Sequence, residues 1–167
     1  MNSQSPLGAA VQHLTFSVAV ETYALAIEGI KEIIEVSPVT VVPMMPSYVR
    51  GVINLRGAVV PVVDLAARFG QPPAAIGRRS CLVILEIHPA GGERQIFGLL
   101  VDAVCAVLDI AADQVEPAPA FGAKIRADFI AGMARLDERF VIVLDANRVL
   151  AMEDLVQLAQ LASEAAA

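Results

Sequence analysis

The chain has 167 residues, a formal net charge of −6 and hydrophobic residues at 56% of its positions. The acidic balance argues against nucleic acid as a partner, because binding to phosphates requires a basic face. No run of about 18 apolar residues escapes a charge, so the sequence predicts no direct insertion into a membrane.

The N-terminus lacks a basic segment followed by an apolar one, so no secretory signal is predicted. Cys81 and Cys105 both lie inside apolar runs, which predicts buried free thiols in a reducing compartment. A disulfide between the two is the alternative, and nothing in their spacing supports it.

The N-terminal part of the chain predicts short strands, because apolar and polar residues alternate along it. The first strand is predicted over 14–20 and the second over 23–27. Apolar residues then recur at mixed spacing over 30–34, which fits either a strand with a bulge or a single helical turn. A short helix is predicted to begin at Pro46 and to end at Gly51.

Two apolar runs, 52–53 and 59–63, flank the sequence Asn54-Leu55-Arg56-Gly57. Asn and Gly tolerate positive φ, so this stretch predicts the turn of a β-hairpin. Arg56 is then expected at the exposed tip of a rigid ribbon.

The segment after the hairpin carries further local signals. Pro61 cannot donate a hydrogen bond to a neighbouring strand, so one side of its strand is predicted to be an edge or to face a bulge. Asp64 is predicted to cap a short helix over 65–69, which Gly70 closes. The residues 71–79 contain two prolines and a glycine and are predicted to link two halves of the chain.

The second half predicts more short strands and two helices. Asp145 is expected to cap the first of these helices, and an amphipathic helix is predicted over 152–162. The strands are predicted over 81–87, 96–101, 104–110, 129–136 and 140–144.

The chain contains an internal repeat. Residues 48–64 align without a gap with 129–145, and residues 23–36 align with 97–110. Two matches in the same order predict a duplicated unit. With about ten short strands and few helices, the economical architecture is two small barrels, one per half, because closing a sheet limits its exposed edges.

Charged positions that differ between the repeats are candidates for function, whereas shared positions indicate architecture. Glu32 aligns with Ala106, and Arg56 also lacks a counterpart in the second repeat. Strand alternation places Ile30, Glu32 and Ile34 on one face, so Ile30 and Glu32 are predicted to form a mixed apolar and acidic patch that a partner covers. The sequence leaves open whether Glu32 and Arg56 pair with each other or each meet a charge of a partner.

The sequence shows no constellation for catalysis. His13 and His88 are its only histidines, and neither has metal-ligand spacing to Cys, Asp or Glu. It contains neither the glycine motifs that bind nucleotides nor the nucleophile motif Gly-x-Ser-x-Gly. A protein without enzymatic activity, metal or cofactor is therefore predicted.

The sequence GVINLRG at 51–57, followed by PVVDL at 61–65, resembles the signature of the CheW family of bacterial chemotaxis adaptors. The glutamate-bearing segment 27–34, the sequence GLLVD at 98–102 and the sequence EPAP at 116–119 resemble the same family. The resemblance implies an all-β fold of two intertwined five-stranded SH3-like barrels, to which the short C-terminal helix is added here.

The resemblance also sets the expected domain, which covers 13–150 with halves at approximately 13–70 and 80–150. The termini 1–12 and 163–167 are expected to be flexible.

The resemblance further implies a non-enzymatic adaptor. It would couple the cytoplasmic tip of methyl-accepting chemoreceptors to the regulatory domain of the histidine kinase CheA, in the cytoplasm at membrane receptor arrays. An adaptor of a pilus-type or other chemosensory pathway is the alternative. The residues expected at the partner-binding surface are Ile30, Glu32, Gly51, Asn54, Arg56 and Gly57.

Two hypotheses from other classes compete with the adaptor. One is a small ligand-binding or enzymatic barrel with a metabolite in the groove between its halves. The other is a structural module that only self-associates. An apolar groove without convergent polar groups favours a protein partner over a metabolite.

Overall fold

The computed structural model describes residues 10–88, 92–117 and 127–151. Within these ranges the backbone forms eleven strands and two short α-helices. In chain order they are β1 (Ala10–Val18), β2 (Glu21–Ala26), β3 (Ile30–Glu35), β4 (Val49–Leu55), β5 (Ala58–Asp64), α1 (Leu65–Arg68), β6 (Cys81–Ile87), β7 (Gln95–Val101), β8 (Ala103–Ala111), β9 (Val115–Glu116), β10 (Ile130–Leu136), β11 (Arg139–Leu144) and α2 (Ala146–Val149). No helix in these ranges has the length and apolar content needed to cross a membrane.

The strands form two sheets, and each sheet takes strands from both halves of the chain. One sheet has the order β8-β1-β2-β11-β10-β9 and the other has the order β3-β6-β7-β5-β4. The fold is therefore all-β, with two intertwined SH3-like barrels; the short strand β9 adds a sixth strand to one of them. The expectation of one barrel per contiguous half is wrong, because β2 and β7 each pair in parallel with a strand of the opposite half.

The strand register confirms the duplication. Val62 pairs with Gly98 where β5 meets β7, and Val143 pairs with Ala24 where β11 meets β2. The two pairs are equivalent in the repeat, because Val62 aligns with Val143 and Ala24 aligns with Gly98. The barrels are thus two copies of one unit that exchange strands reciprocally.

Three apolar clusters stabilise this arrangement. The largest contains residues of both sheets and joins them, whereas each of the other two belongs to one sheet. In the shared cluster, Phe16, Tyr23, Phe69 and Phe129 form a chain of ring contacts, with successive centroid distances of 6.2, 5.0 and 6.1 Å. Burial, with a smaller contribution from the charge of Glu21, raises the pKa of Tyr23 to about 12, so its hydroxyl remains neutral in the core.

Arg68 on α1 contacts both barrels at the end of this chain of rings. Its guanidinium carbon lies 4.9 Å from the ring centroid of Tyr48 and 4.5 Å from that of Phe129. These two aromatic residues occupy equivalent positions of the repeat. The Nε of Arg68 also donates a hydrogen bond to the carbonyl oxygen of Val149 on α2, at 2.8 Å. One side chain therefore links matching parts of the two copies.

Both predicted helix caps are confirmed. Oδ1 of Asp64 accepts a hydrogen bond from the backbone N of Ala67, and Oδ1 of Asp145 accepts one from the backbone N of Arg148. The prediction for Pro61 is also consistent with the structure, because the parallel pairing of β5 with β7 begins only at Val62.

Of the two alternatives predicted for 30–34, the strand with a bulge is observed, because this segment lies in β3 (Ile30–Glu35), and the helical turn lies just before it. A single 3-10 turn, Ile27–Gly29, precedes β3, and the register of β3 shifts between Ile30 and Glu32. The helix predicted to begin at Pro46 is wrong: Val49 is buried and pairs with Val63, which makes it the first residue of β4.

Other boundaries also differ from the predictions. β1 begins at Ala10, inside the segment expected to be flexible, and Val20 lies in the following turn with a φ of 64°. Both cysteines are free as predicted, but neither is fully buried: Cys81 is half-buried, and Cys105 on the outer strand β8 is exposed. The helix predicted over 152–162 lies outside the described residues.

Replacing Arg68 by Ala is expected to lower the free energy of unfolding by about 1–3 kcal/mol, because two cation–π contacts and a hydrogen bond are lost. Urea denaturation followed by circular dichroism measures this change. The matched control is Arg148→Ala on α2, whose exposed side chain pairs only locally with Asp145; it should change stability by no more than about 0.5 kcal/mol. Equal losses for both variants would show that Arg68 does not link the barrels.

Candidate functional site

The hairpin β4–β5 ends in a tight turn made by Arg56 and Gly57, whose φ angles are 52° and 88°. Leu55 and Ala58 pair on either side of it. Positive φ at both turn positions matches the twist of the flanking strands. Asn54 stabilises the turn through its side chain and not through a positive φ, since its Oδ1 accepts a hydrogen bond from the backbone N of Gly57 at 3.0 Å. The predicted hairpin is confirmed, with Arg56 at its tip.

A bidentate ion pair joins Arg56 to Glu32 on β3. Nη1 and Nη2 of Arg56 donate to Oε2 and Oε1 of Glu32, at 2.5 and 2.7 Å. Because β3 and β4 are the two outer strands of their sheet, this contact links the two ends of the strand order. The side chains are 70% and 28% exposed, respectively. The question that the sequence left open is therefore answered: the two residues pair with each other.

The second barrel has no such pair at the equivalent positions. Ala106 replaces Glu32, and the tip residue equivalent to Arg56 is Asp137, which also has a positive φ. In that barrel Arg135 pairs instead with Glu116, at 3.1 Å. The two hairpins share their backbone geometry and differ in the charges they display.

Ile30 does not share the face of Glu32, so the predicted mixed patch of these two residues is wrong. Ile30 lies opposite Leu85 and packs against the cluster shared by the barrels. After the register shift, Glu32 lies opposite Ile84, which belongs to the cluster of the other face. Simple alternation failed because the bulge moves one residue of β3 out of register.

Gly51 is buried beneath the hairpin and does not belong to its exposed surface. Its φ is 142°, and a Cβ at this position would lie 2.0 Å from the carbonyl oxygen of Thr40. Gly132 occupies the equivalent position, where a Cβ would lie 2.3 Å from Cγ1 of Val115. Both glycines let another segment approach a bulged strand closely. Glycine is present in both repeats because the fold requires this close approach in each barrel.

The charges around β3 are held by hydrogen bonds. The pKa of Glu32 lies below its usual value, mainly because its carboxylate accepts the hydrogen bonds of Arg56. The same contact raises the pKa of Arg56. Lys31 donates to Oε1 of Glu86 at 3.1 Å and is the main cause of the lowered pKa of that carboxyl. Both carboxylates are therefore ionised at neutral pH.

A buried carboxylate supports the base of the hairpin. Asp64 is fully buried, and its Oδ2 accepts hydrogen bonds from Nη1 of Arg50 at 3.0 Å and from the backbone N of Ala74 at 2.9 Å. Nη1 of Arg50 also donates to the carbonyl oxygen of Ala74, at 3.1 Å. The sequence predicted only the helix cap at Asp64. The repeat alignment did contain a further signal, because Arg50 aligns with the uncharged Ala131.

An open groove of about 590 Å³ lies where the two barrels meet, beside β3. Residues of both sheets line it, among them Leu25, Glu28, Lys31, Glu86 and Leu144. Within the described residues, no group of three or more His, Cys, Asp and Glu side chains is placed to hold a metal ion. The site consists of a rigid charged tip and a neighbouring groove, which suits recognition of a protein surface.

Comparison with known proteins agrees with this geometry. Residues 12–154 match the family model of the CheW-like domain. The chemotaxis protein CheW of Klebsiella aerogenes is 31% identical over 144 residues, which cover 86% of this chain and 84% of that protein. Protein FrzA of Myxococcus xanthus is 28% identical over 108 residues, covering 65% and 64% of the two chains. The crystal structure of the scaffolding protein TtCheW from Thermoanaerobacter tengcongensis matches with a TM-score of 0.76 and 32% identity, over 87% of this chain and 95% of that one.

Gly51→Ala is expected to lower the free energy of unfolding by about 2 kcal/mol or more, because the new methyl group overlaps a backbone carbonyl at a strained φ. Gly57→Ala is the matched control. Its φ is also positive, yet nothing lies within 4 Å of the added Cβ, so it should cost only about 1 kcal/mol. Denaturation midpoints of the two variants give the comparison, and a larger cost at Gly57 would contradict the close approach at Gly51.

The pKa of Glu32 is expected to rise towards its usual value of 4.5 when Arg56 is replaced by Ala, because the hydrogen bond that lowers it is lost. A ¹³C NMR titration of the side-chain carboxyl measures this pKa. In the wild type the depressed pKa means that the ion pair is intact above pH 4.5 and breaks as the pH falls through the lowered value. Glu86, which is held by Lys31, should titrate unchanged in both proteins. An identical pKa of Glu32 in both proteins would contradict the pairing.

Proposed function

The chain belongs to the CheW-like domain family, and on this premise we propose that it is a non-enzymatic adaptor that couples methyl-accepting chemoreceptors to the histidine kinase CheA. It binds the cytoplasmic tip of the receptor and the regulatory domain of the kinase, and it works in the cytoplasm at membrane receptor arrays. The observation that carries the proposal is the Glu32–Arg56 pair, which holds a charged group at the exposed tip of a rigid hairpin.

The adaptor surface that we propose has Arg56 at its centre. Asn54, Gly57 and the paired Glu32 surround it, and all four belong to or contact the hairpin turn. A guanidinium fixed by a bidentate contact loses little conformational freedom when a partner binds, so the surface is pre-organised. Gly51 and Ile30 take part indirectly, through packing that sets the position of the hairpin and of β3.

The features of this site favour recognition over chemistry. Its two charged side chains satisfy one another, and its remaining polar group, Asn54, is engaged in closing the turn. Nothing in this geometry positions a nucleophile beside a general base, which acyl or phosphoryl transfer would require.

An adaptor of a pilus-type or other chemosensory pathway is the second candidate. The similarity to protein FrzA supports this second candidate, because FrzA is not named as a CheW chemotaxis protein. Capture of receptors and kinases from the cell that produces the chain, followed by mass spectrometry, distinguishes the two. Recovery of a CheA-type kinase with motility receptors supports the first candidate, and recovery of a kinase of another chemosensory system supports the second.

A charge-swap cycle tests the proposed surface. Glu32→Arg and Arg56→Glu should each weaken binding to the regulatory domain of CheA or to the receptor tip by about tenfold or more, because each leaves two like charges facing each other. The double variant restores an ion pair of reversed orientation but places a carboxylate at the tip, so it should recover the stability of the hairpin and little of the lost binding. Calorimetric titration of the purified partners gives the dissociation constants.

Arg135→Glu is the matched control for this cycle. It alters an exposed arginine that pairs with Glu116 on the equivalent hairpin of the second barrel, so binding should remain unchanged. If the wild-type chain binds both partners and neither single change at Glu32 or Arg56 weakens either complex, the surface is wrong and the adaptor function stands. If the wild type binds neither partner, the function itself is wrong.

A further inference from the structure

A recess of about 690 Å³ lies on the loop that connects the two repeats, and none of its lining residues belongs to the hairpin β4–β5. Ala75, Gly77, Arg78, Arg79, Ser80 and Asp102 line it. We propose that this recess is a second docking surface, which binds an acidic segment of a partner protein through Arg78 and Arg79. The proposal concerns a different part of the molecule from the adaptor surface and does not depend on it.

Arg78 and Arg79 stand out because both are exposed and neither forms an ion pair with any described residue. Apart from Arg139, every other lysine or arginine in the described ranges has a partner. These partnered side chains are Lys31, Arg50, Arg56, Arg68, Arg94, Arg135 and Arg148. Two adjacent unpaired guanidinium groups form a local positive patch on a chain whose formal charge is −6.

The loop that carries these arginines is fixed at both ends. At one end, the backbone N of Ala74 donates to Oδ2 of the buried Asp64, and its carbonyl oxygen accepts from Arg50. At the other end, Oγ of Ser80 accepts a hydrogen bond from the backbone N of Gly77 at 2.8 Å. A loop held in this way presents its side chains with little ordering cost on binding.

An exposed apolar residue lies close to the same recess. Oδ2 of Asp102 accepts a hydrogen bond from the backbone N of Ala19 at 2.8 Å, which places the β1–β2 turn beside the recess wall. The next residue, Val20, is 94% exposed and has a φ of 64°. Ala19 also has a positive φ, of 49°, because the two residues form the tight turn between β1 and β2. The surface thus combines a pair of positive charges, one apolar contact and the carboxylate of Asp102, which is engaged by the backbone N of Ala19.

This chemistry selects an acidic peptide over the other anionic partners. Guanidinium groups bind carboxylates through paired hydrogen bonds, and two neighbouring arginines match two carboxylates a few residues apart. A polyphosphate strand or an anionic membrane presents many charges, and binding to it requires a broad basic face, whereas this chain is acidic overall. The apolar Val20 adds a preference for a hydrophobic side chain next to the carboxylates.

Amide NMR spectra of the full-length chain test the proposal with a defined probe, the peptide acetyl-Glu-Glu-Leu-Glu-Glu-amide. We expect chemical-shift changes confined to residues 75–80 and the turn at Val20, and their disappearance as salt shortens the Debye length from about 30 to about 3 Å. Arg78→Gln with Arg79→Gln should weaken binding by about tenfold or more, since both charges are lost. Arg139→Gln, which removes another unpaired arginine, should leave it unchanged.

Three outcomes would overturn the proposal. The first is the absence of shift changes at the recess, and the second is an equal response to the matched peptide acetyl-Gln-Gln-Leu-Gln-Gln-amide. The third is binding of phosphatidylserine vesicles through Arg78 and Arg79 while the acidic peptide fails to bind, which would assign the patch to a lipid surface.

Discussion

The buried carboxylate of Asp64 is the contact on which both exposed surfaces depend. Removing a carboxylate from water is costly unless charge and hydrogen bonds compensate for it, and here Arg50 and the backbone N atoms of Ala67 and Ala74 do so. These donors come from the base of the hairpin, from α1 and from the connecting loop. One side chain therefore fixes three segments at once, including those that carry Arg56 and Arg78.

The equivalent aspartate of the second barrel shows how the two copies have diverged. Asp145 caps α2 in the same way, yet its side chain is 35% exposed and it pairs with the local Arg148. The copies thus retain the cap, the bulge glycines and the parallel strand pairing, because the fold requires them. The charges differ: Arg50 and Glu32 align with alanines and Arg56 aligns with Asp137, whereas the second copy has the pair of Arg135 with Glu116, so each barrel displays a distinct surface.

Local features were predictable from the sequence, and those that depend on strand register were not. The hairpin turn and the two aspartate caps followed from short patterns, and the repeat alignment singled out Glu32 and Arg56, which the structure pairs with each other. The exchange of β2 and β7 between barrels was invisible to periodicity, because parallel pairing of distant strands leaves no local signal. The bulge after Ile30 likewise places Ile30 and Glu32 on opposite faces of β3. Its position is defined by the pairing of β3 with β6, which the sequence of β3 does not show.

The two surfaces present charge in different ways, and this difference has a consequence for recognition. Arg56 is largely neutralised by Glu32, so it offers a partner directional hydrogen bonds and a fixed geometry, which favour specificity over attraction at a distance. Arg78 and Arg79 keep their full charge on an acidic molecule, so they orient an acidic partner before contact and do so most strongly at low ionic strength. The contact proposed at Arg56 aligns a partner through directional hydrogen bonds, and the contact proposed at Arg78 and Arg79 captures acidic segments by charge. The two contacts therefore differ in salt dependence even where their affinities are equal.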